Sequence, residues 1–141
     1  MTNVYNFRSW WNAIMAESFD NFEQRASLYQ RALSYLPGSY KLWFNYLKEA
    51  RLYVKQFDLL KQVEYYEIVN ELHEKSLVYM HLMPRIWIDY AKFLSRQKHI
   101  TRTRRVYDRA LQSLPVTQHG TIWKYYLEWA QSFAEDYPQT A

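Results

Sequence analysis

One stretch of sequence indicates the fold, because its pattern recurs along the chain: Leu42-Trp43-Phe44-Asn45-Tyr46-Leu47-Lys48-Glu49-Ala50. Trp43, Tyr46 and Ala50 are spaced i, i+3 and i+7, which places them on one face of a helix. We call this predicted element helix A. The same order of an aliphatic residue, Trp, two residues and Tyr recurs downstream and, in weaker form, upstream, at residues 86–90, 122–126 and 10–14.

A second pattern alternates with the first and leads into a proline. Residues 28–33 (LYQRAL) and 106–111 (VYDRAL) are two copies, and a proline follows each of them by four residues. A third copy at residues 72–77 (LHEKSL) reaches Pro84 three residues later, which is close to one extra helical turn. We call this element helix B. Its small fifth residue lets a neighbouring helix approach closely, and the proline ends the helix.

The alternation of A and B predicts seven helices in one helical-repeat domain covering residues 1–141. The repeat bounds are about 9–37, 40–84 and 85–115, with a half repeat at 119–135. Because one helical hairpin cannot bury its apolar face alone, neighbouring repeats must stack. We therefore expect an all-α fold, a right-handed α-solenoid of antiparallel helix pairs. The predicted repeat core is Trp11, Trp43, Tyr46, Trp87, Tyr90, Tyr107, Ala110, Trp123 and Tyr126.

The second repeat contains an insertion. Trp43 and Trp87 are 44 residues apart, whereas the other two intervals between successive helix A tryptophans are 32 and 36 residues. The extra residues fall around Val54 to Tyr66, between the two helices of the repeat. They predict either a longer loop or extended helices.

Composition excludes several classes of protein. Aromatic residues make up 19% of the chain, which is far too rich for disorder. The absence of cysteine excludes disulfides and thiolate metal sites. No stretch approaches the run of about 20 apolar residues that a membrane helix needs, and the polar start has no signal-peptide core. The net charge of +4 is mild and interspersed with acids, so it does not by itself indicate nucleic acid.

No catalytic, metal or cofactor motif is complete. His73-Glu74 begins like the zinc-protease pattern HExxH, but Leu77 stands at the fifth position. There is no glycine-rich phosphate loop and no glycine-flanked serine nucleophile. We therefore expect a protein that is not an enzyme and that has no cofactor and no metal.

Two charged stripes are candidate binding surfaces. Arg102, Arg105 and Arg109 fall within an arc of about 60° on the third helix B, which suits phosphate or an acidic partner. A solvated helix face is the simpler explanation. An acidic stripe on the second helix B provides another, since stripes on stacked repeats can form salt bridges. The acidic residues are Glu64, Glu67, Glu71 and Glu74.

The last predicted helix has an apolar surface that covers more than half of its circumference. A terminal repeat should present a polar outer face. We therefore expect Trp129 and Phe133 to contact a further repeat, a partner protein or another copy of the chain. The alternative is that the tail from Glu135 to Ala141 folds back over them.

The paired patterns Trp-x-x-Tyr and Tyr-x-Arg-Ala-Leu resemble HAT (half-a-TPR) repeats, the family found in RNA-processing scaffolds. Within that family the chain resembles the amino-terminal part of the large HAT subunit of the NineTeen (Prp19-associated) spliceosome complex, from about Asn6 to Ala130. It departs from the pattern at Ile14, where a Tyr is expected. The stretches that carry the resemblance include linker residues: 36–43 (LPGSYKLW), 80–87 (MHLMPRIW), 101–105 (TRTRR) and 114–119 (LPVTQH).

The resemblance implies a nuclear, non-catalytic scaffold in pre-mRNA splicing. Its implied partners are spliceosomal proteins of the NineTeen complex and other HAT-repeat proteins, with RNA contact secondary and no membrane. The alternative function is a direct RNA-binding module that uses the basic helix around residues 102–109. Steep salt dependence of binding would distinguish this alternative.

Overall fold

The computed structural model describes residues 4–136, and this part of the chain is helical, with no β-strand. The predicted all-α fold and the number of helices are confirmed for the described residues. None of the described helices combines the length and apolar character that a membrane crossing requires. The helices are α1 (Phe7–Ala16), α2 (Phe22–Tyr35), α3 (Tyr40–Val54), α4 (Leu59–Met80), α5 (Pro84–Arg96), α6 (Ile100–Ser113) and α7 (His119–Asp136), and the 3-10 helix Val116–Gln118 precedes α7.

The helices group into two compact units, the first ending at Met80 and the second beginning at His81. In the first unit α1 contacts α2, α2 contacts α3 and α3 contacts α4. In the second unit α5, α6 and α7 contact one another. Short turns connect the helices within each unit, so sequential neighbours are antiparallel. A single domain over residues 1–141 stays a prediction.

Local sequence explains where the helices begin and end. The Asn6 side chain accepts a hydrogen bond from the Arg8 amide at 3.0 Å and caps α1. Pro84 is the first residue of α5, where its missing N–H costs nothing. A turn at Lys98 caps the carboxyl end of α5, and the backbone of Lys98 is left-handed, with a φ of 66°. There the His99 amide donates to the Leu94 carbonyl at 3.2 Å, the bond that defines a Schellman motif.

The insertion in the second repeat forms an extended helix, one of the two predicted outcomes. Helix α4 has 22 residues, whereas the equivalent helices α2 and α6 have 14 each. The extra turns lie at the amino-terminal end of α4. Leu59, Leu60 and Val63 in these turns are exposed to solvent.

Most of the predicted repeat core is buried, and three positions differ. Trp43, Tyr46, Trp87, Tyr90, Tyr107 and Ala110 are all buried, as expected. Trp11 is only half-buried, and its neighbour Trp10, which is 1% exposed, occupies the core position. Trp123 is 45% exposed, so the prediction of a buried Trp there is wrong, and Tyr126 beside it is half-buried.

The local backbone explains why Trp11 and Trp123 are not buried. The Trp10, Trp43 and Trp87 indoles each donate to a backbone carbonyl six residues earlier. The residue six positions before Trp123 is Thr117, which lies within a 3-10 helix rather than in an open turn. The Trp123 ring instead stacks on Tyr126 with centroids 5.4 Å apart.

Candidate partner-binding surfaces

A buried cluster of hydrogen bonds links α1, α2 and α3. The Arg25 guanidinium is wholly buried and forms a bidentate pair with Glu49, with Nε to Oε1 at 2.6 Å and Nη2 to Oε2 at 3.1 Å. Its Nη1 donates to the carbonyls of Ile14 at 2.6 Å and Glu17 at 2.9 Å, which satisfies the end of α1. The Tyr29 hydroxyl also donates to Glu49. Burial, and then the hydrogen bond to Glu49, raise the pKa of Tyr29.

A buried histidine takes the place of a tyrosine in α4. His73 occupies the helix B position that Tyr29 and Tyr107 occupy in the neighbouring copies. Its Nδ1 lies 2.9 Å from the Val69 carbonyl and its Nε2 lies 3.0 Å from Arg51 Nη1. Because arginine only donates, the ring is neutral with its proton on Nδ1. Burial, and then the Arg51 charge, lower the pKa of His73 to about 3.

The buried cluster around Arg25 and the one around His73 both stabilise the packing of the helices. Perturbed pKa values often mark functional sites, but structural ion pairs perturb them as well. The side chains of Arg25 and His73 are buried, and their polar atoms are engaged within the first unit. Within residues 4–136, no group of three or more His, Cys, Asp or Glu side chains is placed to hold a metal ion.

The basic stripe lies on α6, but its three arginines differ in environment. Arg105 and Arg109 are exposed, and Arg102 is half-buried. The Arg109 guanidinium lies over the Trp87 ring at 5.3 Å, so this cation contributes to packing within the second unit. Arg104, which the stripe does not include, is exposed on the same helix. A binding role for the stripe stays a prediction.

A cleft of about 310 Å³ lies between α5, α6 and α7. Trp129 lines it and is half-buried, and Phe133 stacks on Trp129 with centroids 5.8 Å apart. The more exposed apolar side chains of α7 are Trp123 and Leu127. Trp129 and Phe133, the two residues predicted to need covering, are both half-buried and are less exposed than these two. Self-association through α7 stays a prediction, and most of the tail proposed to cover it lies outside the described residues.

A second cleft, of about 300 Å³, lies within the first unit between α2, α3 and α4. Tyr46, Ala50 and Tyr53 of α3 are among the residues that line it. Ile68 of α4 also lines it and is 59% exposed. The repeat pattern does not predict this cleft. The one signal that pointed towards it was the long interval between Trp43 and Trp87.

Comparisons with known proteins agree with the repeat pattern. A family model described as "Pre-mRNA-splicing factor Syf1/CNRKL1 N-terminal HAT repeat" matches residues 1–141. Over the whole chain the sequence is 44% identical to the "Pre-mRNA-splicing factor syf1 homolog" of Drosophila melanogaster and 43% identical to the "Pre-mRNA-splicing factor SYF1" of Homo sapiens. It is 38% identical over 131 residues, 93% of the chain, to the "Pre-mRNA-splicing factor cwf3" of Schizosaccharomyces pombe. The matched regions cover 16%, 16% and 17% of these relatives.

Proposed function

Because the chain belongs to the Syf1/CNRKL1 family of amino-terminal HAT-repeat segments of pre-mRNA-splicing factors, we propose that it acts as a non-catalytic scaffold in splicing. In this proposal it works in the nucleus and holds spliceosomal proteins of the NineTeen complex together. The family also confirms the predicted fold class, an α-solenoid of HAT repeats. The chain spans about a sixth of the length of the relatives it matches, so their activity as whole proteins is carried over only as part of this proposal.

The observation that supports a binding role is an aromatic cleft in each helical unit. Tyr53 and Tyr65 line the cleft of the first unit, and Tyr125 and Trp129 line the cleft of the second; all four are only half-buried. Aromatic residues are enriched at protein interfaces, where they supply large contact area and carry much of the binding energy. Protein partners, including other HAT-repeat proteins, therefore suit these surfaces.

Direct RNA binding through α6 is the second candidate function. The exposed side chains of Arg104 and Arg105 favour it. Arg109 packs over Trp87, and Arg102 is half-buried. Few arginines of the stripe are both exposed and clear of an aromatic ring, and affinity for RNA grows with the number of phosphates contacted. We therefore place RNA contact second to protein contact.

The test is recovery of splicing proteins by the intact chain from nuclear extract, with and without nuclease, at two salt concentrations. A scaffold retains the same spliceosomal proteins after nuclease treatment and loses few of them at the higher salt. The matched variant reverses the exposed Arg104 and Arg105 to Glu, and a protein scaffold that uses the clefts keeps its partners in this variant. Loss of the partners on nuclease treatment, together with their loss in the variant, would establish the RNA-binding alternative instead.

A further inference from the structure

We propose that the cleft between α2, α3 and α4 binds a short amphipathic helix of a partner protein. The partner helix places large aliphatic side chains in the cleft and Lys or Arg on its flanks. This inference rests on the proposed scaffold function, to which it adds a surface and a partner chemistry. We refer to this surface below as the α4 cleft.

The length of the α4 cleft suits about two turns of helix. Its lining on α2 runs from Phe22 to Gln30, which is about 12 Å at 1.5 Å per residue. Small side chains among the lining residues allow a helix backbone to approach closely: Ala26, Ser27 and Ala50. The cleft therefore has the shape of a groove between two helices, with a third helix as its floor.

Aromatic rings close one end of the α4 cleft. Phe22 stacks on Tyr53, and Phe57 stacks on Tyr65, each pair with centroids 4.5 Å apart. Tyr53 also meets Phe57 edge-on at 5.0 Å, which joins the two pairs into one cluster. Towards the other end of the α2 lining, the Gln30 amide donates to the Tyr46 hydroxyl at 2.8 Å. Interlocked rings hold this wall in one shape, so a partner loses little free energy in ordering it.

The extension of α4 supplies part of the cleft wall. Tyr65 lies within the inserted segment, and Ile68 follows one turn later. Ile68 is 59% exposed although it lines a cleft that is otherwise rich in apolar side chains. A repeat stack does not need these extra turns, since α2 and α6 form repeat helices with 14 residues each. The insertion therefore adds the Tyr65 ring to the cleft wall, next to the exposed Ile68 that a partner side chain can cover.

The charges beside the α4 cleft select the partner's flanks. Glu23 is the charged residue among the cleft's lining side chains. Glu64 and Glu71 of α4 border the lining face of that helix, and both are exposed. Lys61 and Lys75 lie beyond the two ends of the α4 lining. Complementary charge at an interface gives specificity and faster association, so a helix with basic flanks is favoured.

The test uses a fluorescein-labelled designed peptide of about 14 residues, with Leu at i, i+3 and i+7 and Lys on both flanks. Its fluorescence anisotropy is titrated with the intact chain. Two matched peptides are controls: one carries Glu instead of Lys, and one carries Ser instead of Leu. We expect saturable binding of the Lys peptide, with about tenfold or greater loss for each control peptide.

Substitutions in the chain locate the binding. Ile68→Lys places a cation in the cleft wall, and Ser27→Trp fills the cleft without altering charge. Val78→Lys is the matched control, because Val78 is 69% exposed on the same helix and does not line the cleft. We expect Ile68→Lys and Ser27→Trp each to weaken binding about tenfold or more, and Val78→Lys to leave it unchanged. Equal thermal midpoints for the two Lys variants show that both remain folded.

Three results would overturn the proposal. One is the absence of saturable binding of the Lys peptide, and another is equal binding of that peptide by the wild type and Ile68→Lys. The third is self-association of the chain in sedimentation that Ile68→Lys abolishes, which assigns the cleft to a second copy instead. Because the peptide experiment contains no nuclear extract, its failure is distinguishable from failure of the nuclease test of the scaffold function.

Discussion

The indole of Trp87 donates a hydrogen bond to the backbone carbonyl of His81, six residues earlier, at 2.8 Å. Trp43 makes the same bond to the Pro37 carbonyl, also at 2.8 Å. Each bond ties a helix A to the turn that precedes it. The shared geometry explains why a Trp recurs at this point in the repeat, where another large apolar residue would fill the core but leave a part-buried carbonyl without its indole donor.

Replacing Trp87 should therefore cost much more stability than replacing Trp123. Trp87→Ala removes a buried aromatic, and we expect a loss of about 3 to 5 kcal/mol in the free energy of unfolding. Trp87→Phe keeps an aromatic ring and loses the N–H, so it should cost about 1 to 3 kcal/mol. Trp123→Ala, at an exposed position, should cost under about 1 kcal/mol. Urea unfolding followed by circular dichroism measures all three, and equal costs at positions 87 and 123 would refute this description of the repeat.

Substitutions at Arg25 and Glu49 should have strongly non-additive effects on the free energy of unfolding. Arg25→Met leaves the Glu49 carboxylate without its main partner, and breaking a buried pair from one side costs about 3 to 5 kcal/mol. The double variant with Glu49→Leu should be less destabilised than the sum of the two single variants. Arg85→Met is the control, because Arg85 is 50% exposed and pairs with Asp89 at the surface. Its cost should stay below about 1 kcal/mol. Strict additivity at positions 25 and 49 would contradict the observed network.

Stability should fall in mild acid because of His73. Its pKa is about 3 in the folded chain and 6.5 as the unperturbed value, so between these values the unfolded chain binds a proton that the folded chain does not. The His73 contribution is fully present above about pH 6.5 and is lost as the pH falls towards 3, by about 1.4 kcal/mol per unit.

The variant His73→Gln isolates this effect. Gln has no titrating group and keeps polar atoms for Arg51 and the Val69 carbonyl. We expect the pH dependence of its unfolding free energy between pH 6 and 4 to be shallower than that of the wild type by about one proton. Parallel pH profiles for the two proteins would mean that His73 is not held neutral.

Lys98 is strained by its left-handed backbone, and glycine should relieve that strain. At φ of 66° a residue with a Cβ is disfavoured by about 1 to 2 kcal/mol relative to one without. Lys98→Gly should therefore be more stable than Lys98→Ala by about 1 kcal/mol, since both variants lack the Lys side chain. A thermal midpoint for the Ala variant equal to or above that of the Gly variant would be inconsistent with the Schellman turn.

Helix positions and much of the core could be predicted from the sequence, because Trp and Tyr at helical spacing report directly which face is buried. The choice between Trp10 and Trp11 could not, since two adjacent tryptophans fit the pattern and the bond to the Val4 carbonyl decides between them. The exposure of Trp123 depends on the 3-10 helix before α7, which the periodicity of α7 does not encode.

The polar clusters and the α4 cleft could not be predicted from the sequence, because they depend on contacts between helices. Arg25 stands in the polar stretch Glu23-Gln24-Arg25, and its burial arises from partners on α1 and α3 that are distant in sequence. The insertion before Tyr66 could be recognised from the long interval between Trp43 and Trp87, but the sequence did not show that this segment would line a cleft. Both features are tertiary, and a repeat pattern describes only what each helix contributes locally.

Sedimentation of the tagged chain in nuclear extract on a glycerol gradient, before and after nuclease treatment, tests the proposed direct binding of splicing proteins. We expect the wild-type chain to remain after nuclease in fast-sedimenting fractions together with spliceosomal proteins, and Trp87→Ala, which disrupts the repeat, to be absent from those fractions. A shift of the wild-type chain to the position of the isolated protein on nuclease treatment would mean that RNA, and not direct contact, joins it to these proteins.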